Sequence, residues 1–166
     1  MIKLRTGAGA FLSNNGNVLL IKRSPNKKLA PGAWSCVGGH IEPHEMNDPY
    51  ETCVREIEEE TGISRSEIES LELLYIMIRM RSGGEISHWY IYFGETTRTE
   101  VIQTNEGTLH WVPESELQNL EYTQTFTAML KHYAARSPED RAVYVGVAGN
   151  DNGSMTMTWG RCEDFE

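Results

Sequence analysis

The sequence predicts an α+β fold or a mixed α/β/α sandwich in one domain of 166 residues. Short apolar stretches with alternating polar positions recur along the chain and predict strands. A few segments carry helix start and stop signals, and they do not alternate strictly with the strands. We predict a single domain over residues 1–166, with its main part at about 4–135 and a C-terminal β-hairpin at about 141–160.

The N-terminal third is predicted to contain three strands and a helix. "LRTGAGAFLS" and "NVLLIKRS" read as strands joined by the hairpin turn "NNGN". After the polar loop "SPNKKLAPG", "AWSCV" predicts a short strand that runs into Gly38 and Gly39. A helix should follow, with Asp48 as its N-cap, Pro49 in its first turn and Gly62 just past its end.

Two further hairpins are predicted in the C-terminal half. "SLELLYIMIRM" and "ISHWYIYFG" form the first across "RSGGE", and "TLHWV" is another short strand. Pro113 opens a short helix through "ESELQNL", and Thr123 or Thr125 can cap the helix "FTAMLKHYAA". "AVYVGVA" and "SMTMTWG" alternate around "GNDNG" and predict the last hairpin, whose role as sheet extension, lid or dimer contact stays open.

Charge and cysteine usage restrict the function classes. A formal net charge of −9 argues against a non-specific binder of nucleic acid or of a membrane surface. No apolar run approaches the ~20 residues that span a bilayer, and "MIKLRTGAGAF" lacks a long signal segment, so the expected location is cytoplasmic. Cys36, Cys53 and Cys162 form no CxxC pair, which indicates neither a disulfide framework nor a zinc site.

The stretch "REIEEETGI" places four carboxylates in five consecutive positions near the end of the predicted helix. At ~100° per residue, Glu56, Glu59 and Glu60 fall within an arc of ~100°, whereas Glu51 and Glu58 face solvent. The opposite stripe, which should face the core, consists of Tyr50, Val54, Ile57 and Thr61.

Crowding three carboxylates there is locally unfavourable. Like charges at these spacings repel, and carboxylates in the last turn face the negative end of the helix dipole. A bound cation would reverse both effects, and carboxylate oxygens are ligands that Mg²⁺ or Mn²⁺ prefers. The helix by itself leaves a solvated acidic face and a metal site equally open, and Gly38 and Gly39 add a strand end where backbone can approach an ion or phosphate.

In combination, these motifs resemble the box of the Nudix hydrolases. That box reads Gly, five residues, Glu, seven residues, then Arg-Glu-apolar-any-Glu-Glu-any-Gly-apolar. Gly39 and Glu45 match its opening, and Arg55 to Ile63 match its close. The resemblance covers roughly Leu4 to Ala135. One departure is that nine residues, rather than seven, separate Glu45 from Arg55, and we expect the two extra residues in the loop "MNDP" before the helix.

The resemblance implies a MutT-type Nudix fold, with a central mixed sheet between helices and an extra C-terminal β-hairpin. It also implies Mg²⁺-dependent hydrolysis, with Mn²⁺ as a substitute, of a nucleoside diphosphate linked to another group, by attack of a metal-activated water on phosphorus. The implied ligands and catalytic residues are Glu56, Glu59, Glu60, the Gly38 carbonyl, Arg55 as a brace for the glutamates, and Glu45. The base is Glu59, Glu60 or a later glutamate, and Glu106 is either that further ligand or base or a solvated loop residue.

The sequence signals for substrate-contacting residues are less specific than those of the box. Arg23 resembles a phosphate-contacting arginine or is an ordinary strand-end cation, and Gly39 lies where backbone meets phosphate. Gln124, at the start of the last helix, is a candidate for a purine edge. Lys27 and Lys28 are better read as solvated than as steering an anionic substrate. Aromatic residues of "HWYIYF" fall on both faces of their strand, so the sequence does not choose which of them stack on a base.

The leading hypothesis is therefore an acid-anhydride hydrolase that acts on nucleoside triphosphates, with housecleaning of oxidised purine dNTPs, as in an 8-oxo-dGTP diphosphatase, as its first substrate class. The alternatives are a pyrophosphatase of ADP-ribose, nucleotide sugars or dinucleotides, and a non-catalytic nucleotide-sensing module. The expected partner is a small-molecule nucleotide rather than a nucleic-acid polymer or a membrane, and a homodimer stays open.

Overall fold

The computed structural model describes residues 2–26, 30–81, 83–102 and 107–163. Within these ranges, nine strands form one mixed sheet, and two α-helices pack against its opposite faces. This confirms the predicted α+β sandwich with a mixed sheet between helices. No helix in these ranges is both long enough and apolar enough to cross a bilayer.

The strands and helices lie close to the predicted segments. Their bounds are β1 (Lys3–Asn14), β2 (Asn17–Arg23), β3 (Trp34–Ser35), β4 (Val37–His40), α1 (Pro49–Thr61), β5 (Ile68–Arg81), β6 (Glu85–Thr96), β7 (Gly107–Pro113), α2 (Gln124–Ala134), β8 (Tyr144–Asp151) and β9 (Ser154–Arg161). Short 3-10 turns span Pro43–Glu45, Arg65–Glu67 and Glu114–Asn119. The segment predicted as one strand, "AWSCV", is divided at Cys36 between β3, which pairs with β2, and β4, which pairs with β1.

The sheet order is β3-β2-β1-β6-β5-β8-β9, with β4 paired to β1 and β7 paired to β2. β1 is the centre of this arrangement, because it pairs in parallel with β6 along one edge and with both β2 and β4 along the other. The antiparallel pairing of β1 with β4 places Gly38 opposite Gly9 and Gly39 opposite Ala8. It therefore holds the glycine pair in the middle of the sheet.

Helix α1 forms where its caps predict. The Asp48 carboxylate accepts a hydrogen bond from the Glu51 backbone N–H at 3.2 Å, and Gly62 ends the helix in the left-handed conformation at φ +75°. Val54 and Ile57 are buried in the core on this face of the sheet. Tyr50 departs from the predicted stripe, because it is 38% exposed at the helix start, where its ring meets the edge of a sheet tyrosine.

Helix α2 and the C-terminal hairpin complete the other face. Thr123 occupies the N-cap position of α2 without a side-chain capping bond. β8 extends the sheet in parallel with β5, and β9 pairs antiparallel with β8, so the hairpin is a sheet extension. The hairpin is tied to α2 by His132, whose ring stacks on Trp159 and hydrogen-bonds the Tyr75 hydroxyl at 2.9 Å.

Candidate active site

A cavity of about 910 Å³ lies where the end of α1, the β4 glycines, β1, β5, β6 and the start of α2 meet. It is large enough for a nucleotide-sized ligand. Glu56, Glu59 and Glu60 line it from α1, and Gly38 and Gly39 line it from β4. The three glutamates that the helix geometry singled out thus face one space, whereas Glu51 and Glu58 are exposed elsewhere.

The three carboxylates differ in their surroundings. The Glu56 side chain is 13% exposed, whereas that of Glu59 is 60% exposed. Glu60 accepts a hydrogen bond from the Gly38 backbone N–H at 2.9 Å, which connects α1 directly to β4. The site therefore combines a largely buried group, an exposed group and a group held by backbone.

Both β4 glycines lie very close to neighbouring atoms. A Cβ on Gly38 would lie 2.3 Å from the Ala8 carbonyl oxygen, and Gly38 adopts φ +149°, which L side chains rarely adopt. A Cβ on Gly39 would lie 2.3 Å from Oε1 of Glu56 and 2.4 Å from its Cδ. The absent side chain of Gly39 thus leaves the space that the Glu56 carboxylate occupies.

Arg55 hydrogen-bonds two of the three carboxylates. Its Nη1 donates to Glu56 Oε1 at 2.8 Å and to Glu59 Oε2 at 3.1 Å, and its Nη2 donates to the His40 carbonyl at 3.1 Å. The planar guanidinium has donors along all of its edges, so one side chain can serve several acceptors at once. Arg55 thus contacts two of the three glutamates, and the bracing role that the resemblance implies for it stays a prediction.

Glu45, which precedes the two-residue insertion, also hydrogen-bonds Arg55. Its 3-10 turn leads directly into α1, since the Asp48 backbone N–H donates to the Glu45 carbonyl at 2.8 Å. Glu45 Oε1 accepts from Arg55 Nε at 2.7 Å, and Oε2 accepts from Arg55 Nη2 at 3.0 Å and from the Thr52 hydroxyl at 2.8 Å. The insertion is accommodated in the turn before the helix, and Glu45 still reaches Arg55 as a bidentate partner.

The pKa values reflect these contacts. The hydrogen bonds from Arg55 lower the pKa of Glu45 to about 2, against the opposing effect of its burial. The same bonds raise the pKa of Arg55 above its ordinary value. Burial raises the pKa of Glu56, and the bonds and charge of Arg55 only partly offset this rise. Glu56 is therefore a carboxylate whose negative charge lacks sufficient positive compensation within the protein.

These residues fit a hard divalent cation. The donors are carboxylate oxygens beside a glycine strand, and the space left by Gly39 admits the undercompensated Glu56 carboxylate. Among the described residues, no three acidic, histidine or cysteine side chains are placed so that they could hold a metal ion by themselves. A cation here needs water or backbone oxygens to complete its shell, which is how Mg²⁺ is commonly bound.

The remaining predicted residues are distributed as follows. Arg23, at the end of β2, lines the cavity. Gln124 is exposed and is not part of the described cavity wall, whereas its neighbours Thr123 and Thr125 are. Glu106, Lys27 and Lys28 lie outside the described residues.

The opposite end of the cavity was not predicted from the sequence. Arg5, His40, Arg79 and Arg81 line that end together with Trp89. The signal that was available is the period-two spacing of Arg79 and Arg81 in "IRMR", which puts both on one face of a strand. Their face could not be assigned because it depends on the pairing of β5 with β6.

The chain matches a known protein family and is similar to several solved structures. The family model described as NUDIX domain matches residues 3–133. The structure is similar to that of a mutator MutT protein from Bacillus halodurans, with a TM-score of 0.69 and 23% identity over 93% of this chain and 97% of that one. It is also similar to a MutT NUDIX hydrolase from Burkholderia pseudomallei, with a TM-score of 0.60 and 27% identity over 77% of this chain and 97% of that one.

A third similar structure is the NUDIX domain of Shewanella oneidensis NrtR, which was solved in complex with ADP ribose. Its TM-score is 0.61 and its identity is 20%, over 81% of this chain and 86% of that one. At this level of identity the likeness concerns the fold. The fold thus occurs both in proteins described as hydrolases and in a protein that holds a nucleotide derivative.

Proposed function

The chain belongs to the Nudix family, the hydrolases of phosphorus-containing anhydrides, and from that premise we propose that it is a Mg²⁺-dependent pyrophosphohydrolase of nucleoside di- and triphosphate derivatives. The observation that carries the proposal is the arrangement of Glu56, Glu59 and Glu60 on one cavity wall, beside the β4 glycines. A non-catalytic sensor is disfavoured, because the chain keeps all three acidic residues and the arginine that orients them.

Glu56, Glu59 and Glu60, with the Gly38 carbonyl, would hold the divalent ions. When bound, such ions supply charge neutralisation for the phosphate oxygens and activation of a water molecule. Mg²⁺ is the proposed ion because the donors are oxygens, and Mn²⁺ is the expected substitute.

The protein's own groups would then position the reaction. Arg55 keeps the carboxylates of Glu56 and Glu59 at fixed places through its two Nη1 hydrogen bonds, and Glu45 holds the guanidinium in turn. Glu59 or Glu60 would accept the proton of the attacking water at a carboxylate oxygen. Among the three candidate ligands on α1, Glu59 is the most exposed to solvent, and Glu60 accepts a hydrogen bond from the Gly38 N–H.

The nucleoside would lie toward the part of the cavity wall that carries Trp34 and Phe126. Trp34 and Arg23 both line the wall, and Phe126 lines it from the first turn of α2. Aromatic faces stack on bases with little preference for sequence, and an arginine suits a phosphate oxygen. Oxidised purine deoxynucleoside triphosphates are the first substrate class to test.

A second candidate, a nucleoside diphosphate linked to a larger group, is favoured by a specific observation. The cavity continues past the glutamates to a further set of side chains on β1, β5 and β6. An ordinary nucleoside triphosphate would not extend in both directions from the metal site. ADP-ribose, nucleotide sugars and dinucleotides would.

A substrate panel tests the proposal. Ordinary and oxidised dNTPs, ADP-ribose, NADH and diadenosine polyphosphates are incubated with the protein and Mg²⁺, and released phosphate and pyrophosphate are measured separately. We expect hydrolysis of at least one anhydride that disappears in EDTA and in Glu60→Gln. Turnover that is equal for the wild type and this variant, or no turnover of any compound, would contradict the proposed activity.

We also propose a reducing, cytoplasmic location. The thiols of Cys36 and Cys53 are free and buried, and the thiol of Cys162 is free and exposed. An exposed free thiol is best preserved in a reducing compartment. Fractionation of cells that express the tagged chain tests this location.

A further inference from the structure

We propose that Arg5, Arg79 and Arg81 form a second anion site in the cavity, which takes a phosphate group of the substrate remote from the anhydride that is cleaved. The preferred substrate would then be a nucleoside diphosphate derivative that carries an additional phosphomonoester. This inference rests on the proposed function and narrows its substrate class.

The arginines share one face of the sheet. Strands β1, β6 and β5 are neighbours, and Arg5 lies opposite Ser87, which in turn lies opposite Arg79. Two residues further on β5, Arg81 lies opposite Glu85, which is two residues before Ser87 on β6. Residues that are directly paired point to the same side, and so do residues two apart on one strand. All three arginines line the cavity that Glu56 also lines.

Positive charge at this end exceeds negative charge. Glu85 is the single acidic partner here in the described part of the chain, at 4.0 Å from Arg5 and 3.6 Å from Arg81. Arg79 forms no ion pair with any carboxylate in the described ranges. Three guanidinium groups thus face one carboxylate, in a chain whose net charge is −9.

Arg5 is held in place by a neutral group. Its Nε donates to His40 Nε2 at 2.7 Å, so this imidazole nitrogen must accept and carry no proton. His40 therefore orients Arg5 without neutralising its charge.

A bound anion would offset the repulsion among these three arginines. Arg79 is half-buried, and its burial, followed by the charges of Arg81 and Arg5, lowers its pKa. Partly buried charges without a partner reduce stability, and guanidinium groups bind phosphate in a bidentate manner. A row of arginines on the wall of an open cavity suits a phosphate group better than the neutral edge of a base.

The spacing indicates where that phosphate lies in the substrate. Gly9 pairs with Gly38, and Arg5 precedes Gly9 by four residues on β1. At ~3.3 Å per residue, the Cα atoms of Gly9 and Arg5 are ~13 Å apart. Phosphates of the anhydride itself would be at the glutamates. The phosphate at the arginines is therefore a separate phosphomonoester, on the ribose or on the linked group.

Calorimetric titration with two non-hydrolysable probes tests the site. Adenosine 3′,5′-bisphosphate and adenosine 5′-monophosphate are titrated in EDTA, so that no cation bridges phosphate to the glutamates. We expect the wild type to bind the bisphosphate about 10-fold more tightly or better, the range of a charged hydrogen bond. The preference should fall to within about threefold in Arg79→Gln and recover in part in Arg79→Lys.

The matched control is Arg141→Gln, which removes the same charge outside the cavity, from an exposed pair with Glu72. This variant should keep the preference of the wild type. Equal binding of the two probes to the wild type, no binding of either, or a preference that survives in Arg79→Gln would each overturn the proposal.

Hydrolysis provides the independent readout. With Mg²⁺, kcat/KM is compared within two pairs that differ by one phosphomonoester, coenzyme A against dephospho-coenzyme A and NADPH against NADH. We expect the phosphorylated member of at least one pair to be favoured about 10-fold in the wild type and to lose this advantage in Arg79→Gln. Failure of the proposed function gives a different result, namely no hydrolysis of any nucleotide while the bisphosphate preference in EDTA persists.

Discussion

Replacing Glu45 with Gln tests whether the carboxylate beyond the insertion supports the active site. Glu45 accepts two hydrogen bonds from Arg55, one from the Thr52 hydroxyl and one from the Glu42 backbone N–H. A Gln side chain keeps the shape but replaces one acceptor oxygen with an NH₂ group, so one of the Arg55 contacts becomes a donor facing a donor. Arg55 then loses part of the interaction that holds it beneath Glu56 and Glu59.

The magnitude follows from the pKa. Hydrogen bonds from Arg55 lower the pKa of Glu45 to about 2, and the side chain is only 7% exposed. A fall of this size corresponds to about 3 kcal/mol of stability at neutral pH, at about 1.4 kcal/mol per pH unit. Removal of one partner from a buried ion pair costs a comparable ~3–5 kcal/mol. Because Gln retains one acceptor, we expect Glu45→Gln to lower the free energy of unfolding by about 2–3 kcal/mol.

Urea unfolding of the metal-free protein measures this change between pH 7 and pH 2. A carboxylate with a lowered pKa stabilises the fold above its unfolded value, near 4.3, and loses this contribution as pH falls to about 2. The wild type should therefore lose more stability over this range than Glu45→Gln does, and the two curves should approach each other near pH 2. At pH 7 with Mg²⁺, kcat of the variant should fall about 10-fold, since the glutamates lose their brace.

Glu67→Gln is the matched control. The hydrogen bond from Arg98 at 2.7 Å likewise lowers the pKa of Glu67 to about 2, but both side chains are about one-third exposed and neither lines the cavity. Solvent screens such pairs, so we expect a much smaller loss of stability and unchanged kcat. If Glu45→Gln is no less stable than Glu67→Gln, or if its pH curve runs parallel to that of the wild type, the reasoning about Glu45 is wrong.

Three further outcomes are expected. Glu59→Gln or Glu60→Gln should reduce turnover by orders of magnitude at saturating Mg²⁺, and wild-type kcat in both variants would contradict their assignment as ligands or base. Millimolar Mg²⁺ should raise the melting temperature of the wild type by binding the folded state, by differential scanning fluorimetry, and the rise should be smaller in Glu60→Gln; an equal rise in both would place the ion elsewhere. Gly39→Ala should abolish most activity because the new Cβ would lie 2.3 Å from Glu56 Oε1, whereas Gly160→Ala, which meets no atom within 4 Å, should leave kcat unchanged.

Local signals were sufficient to place α1 and its acidic residues. The helix begins after Asp48 and ends before Gly62 as expected, because capping depends on contacts within about four residues. Once these ends are known, the angular positions of Glu56, Glu59 and Glu60 follow from helix geometry. The clustering of the three carboxylates therefore follows from residue spacing within a single helix, whereas the metal-binding hypothesis also needed the glycine pair and the resemblance that the combined motifs carry.

Sheet pairing could not be read in the same way. One predicted strand is divided at Cys36, because Ser35 pairs with β2 and Val37 pairs with β1. Tyr50 was expected in the core, but it lies at the edge of the region that the sheet covers. Both outcomes depend on which strands are neighbours, and neighbours such as β1 and β6 are about 80 residues apart in the chain.

The charged groups, their helical spacing and the family to which they point could be read from the order of the residues. The partner of each charged group could be known only from the folded chain. Folding brought Glu45 against Arg55 across the insertion, and it paired β1, β6 and β5 so that Arg5 and Arg79 share a cavity wall. The physical reason is that helix register is a local property, whereas the face of a strand and the partner of a buried charge depend on segments that meet only when the sheet forms.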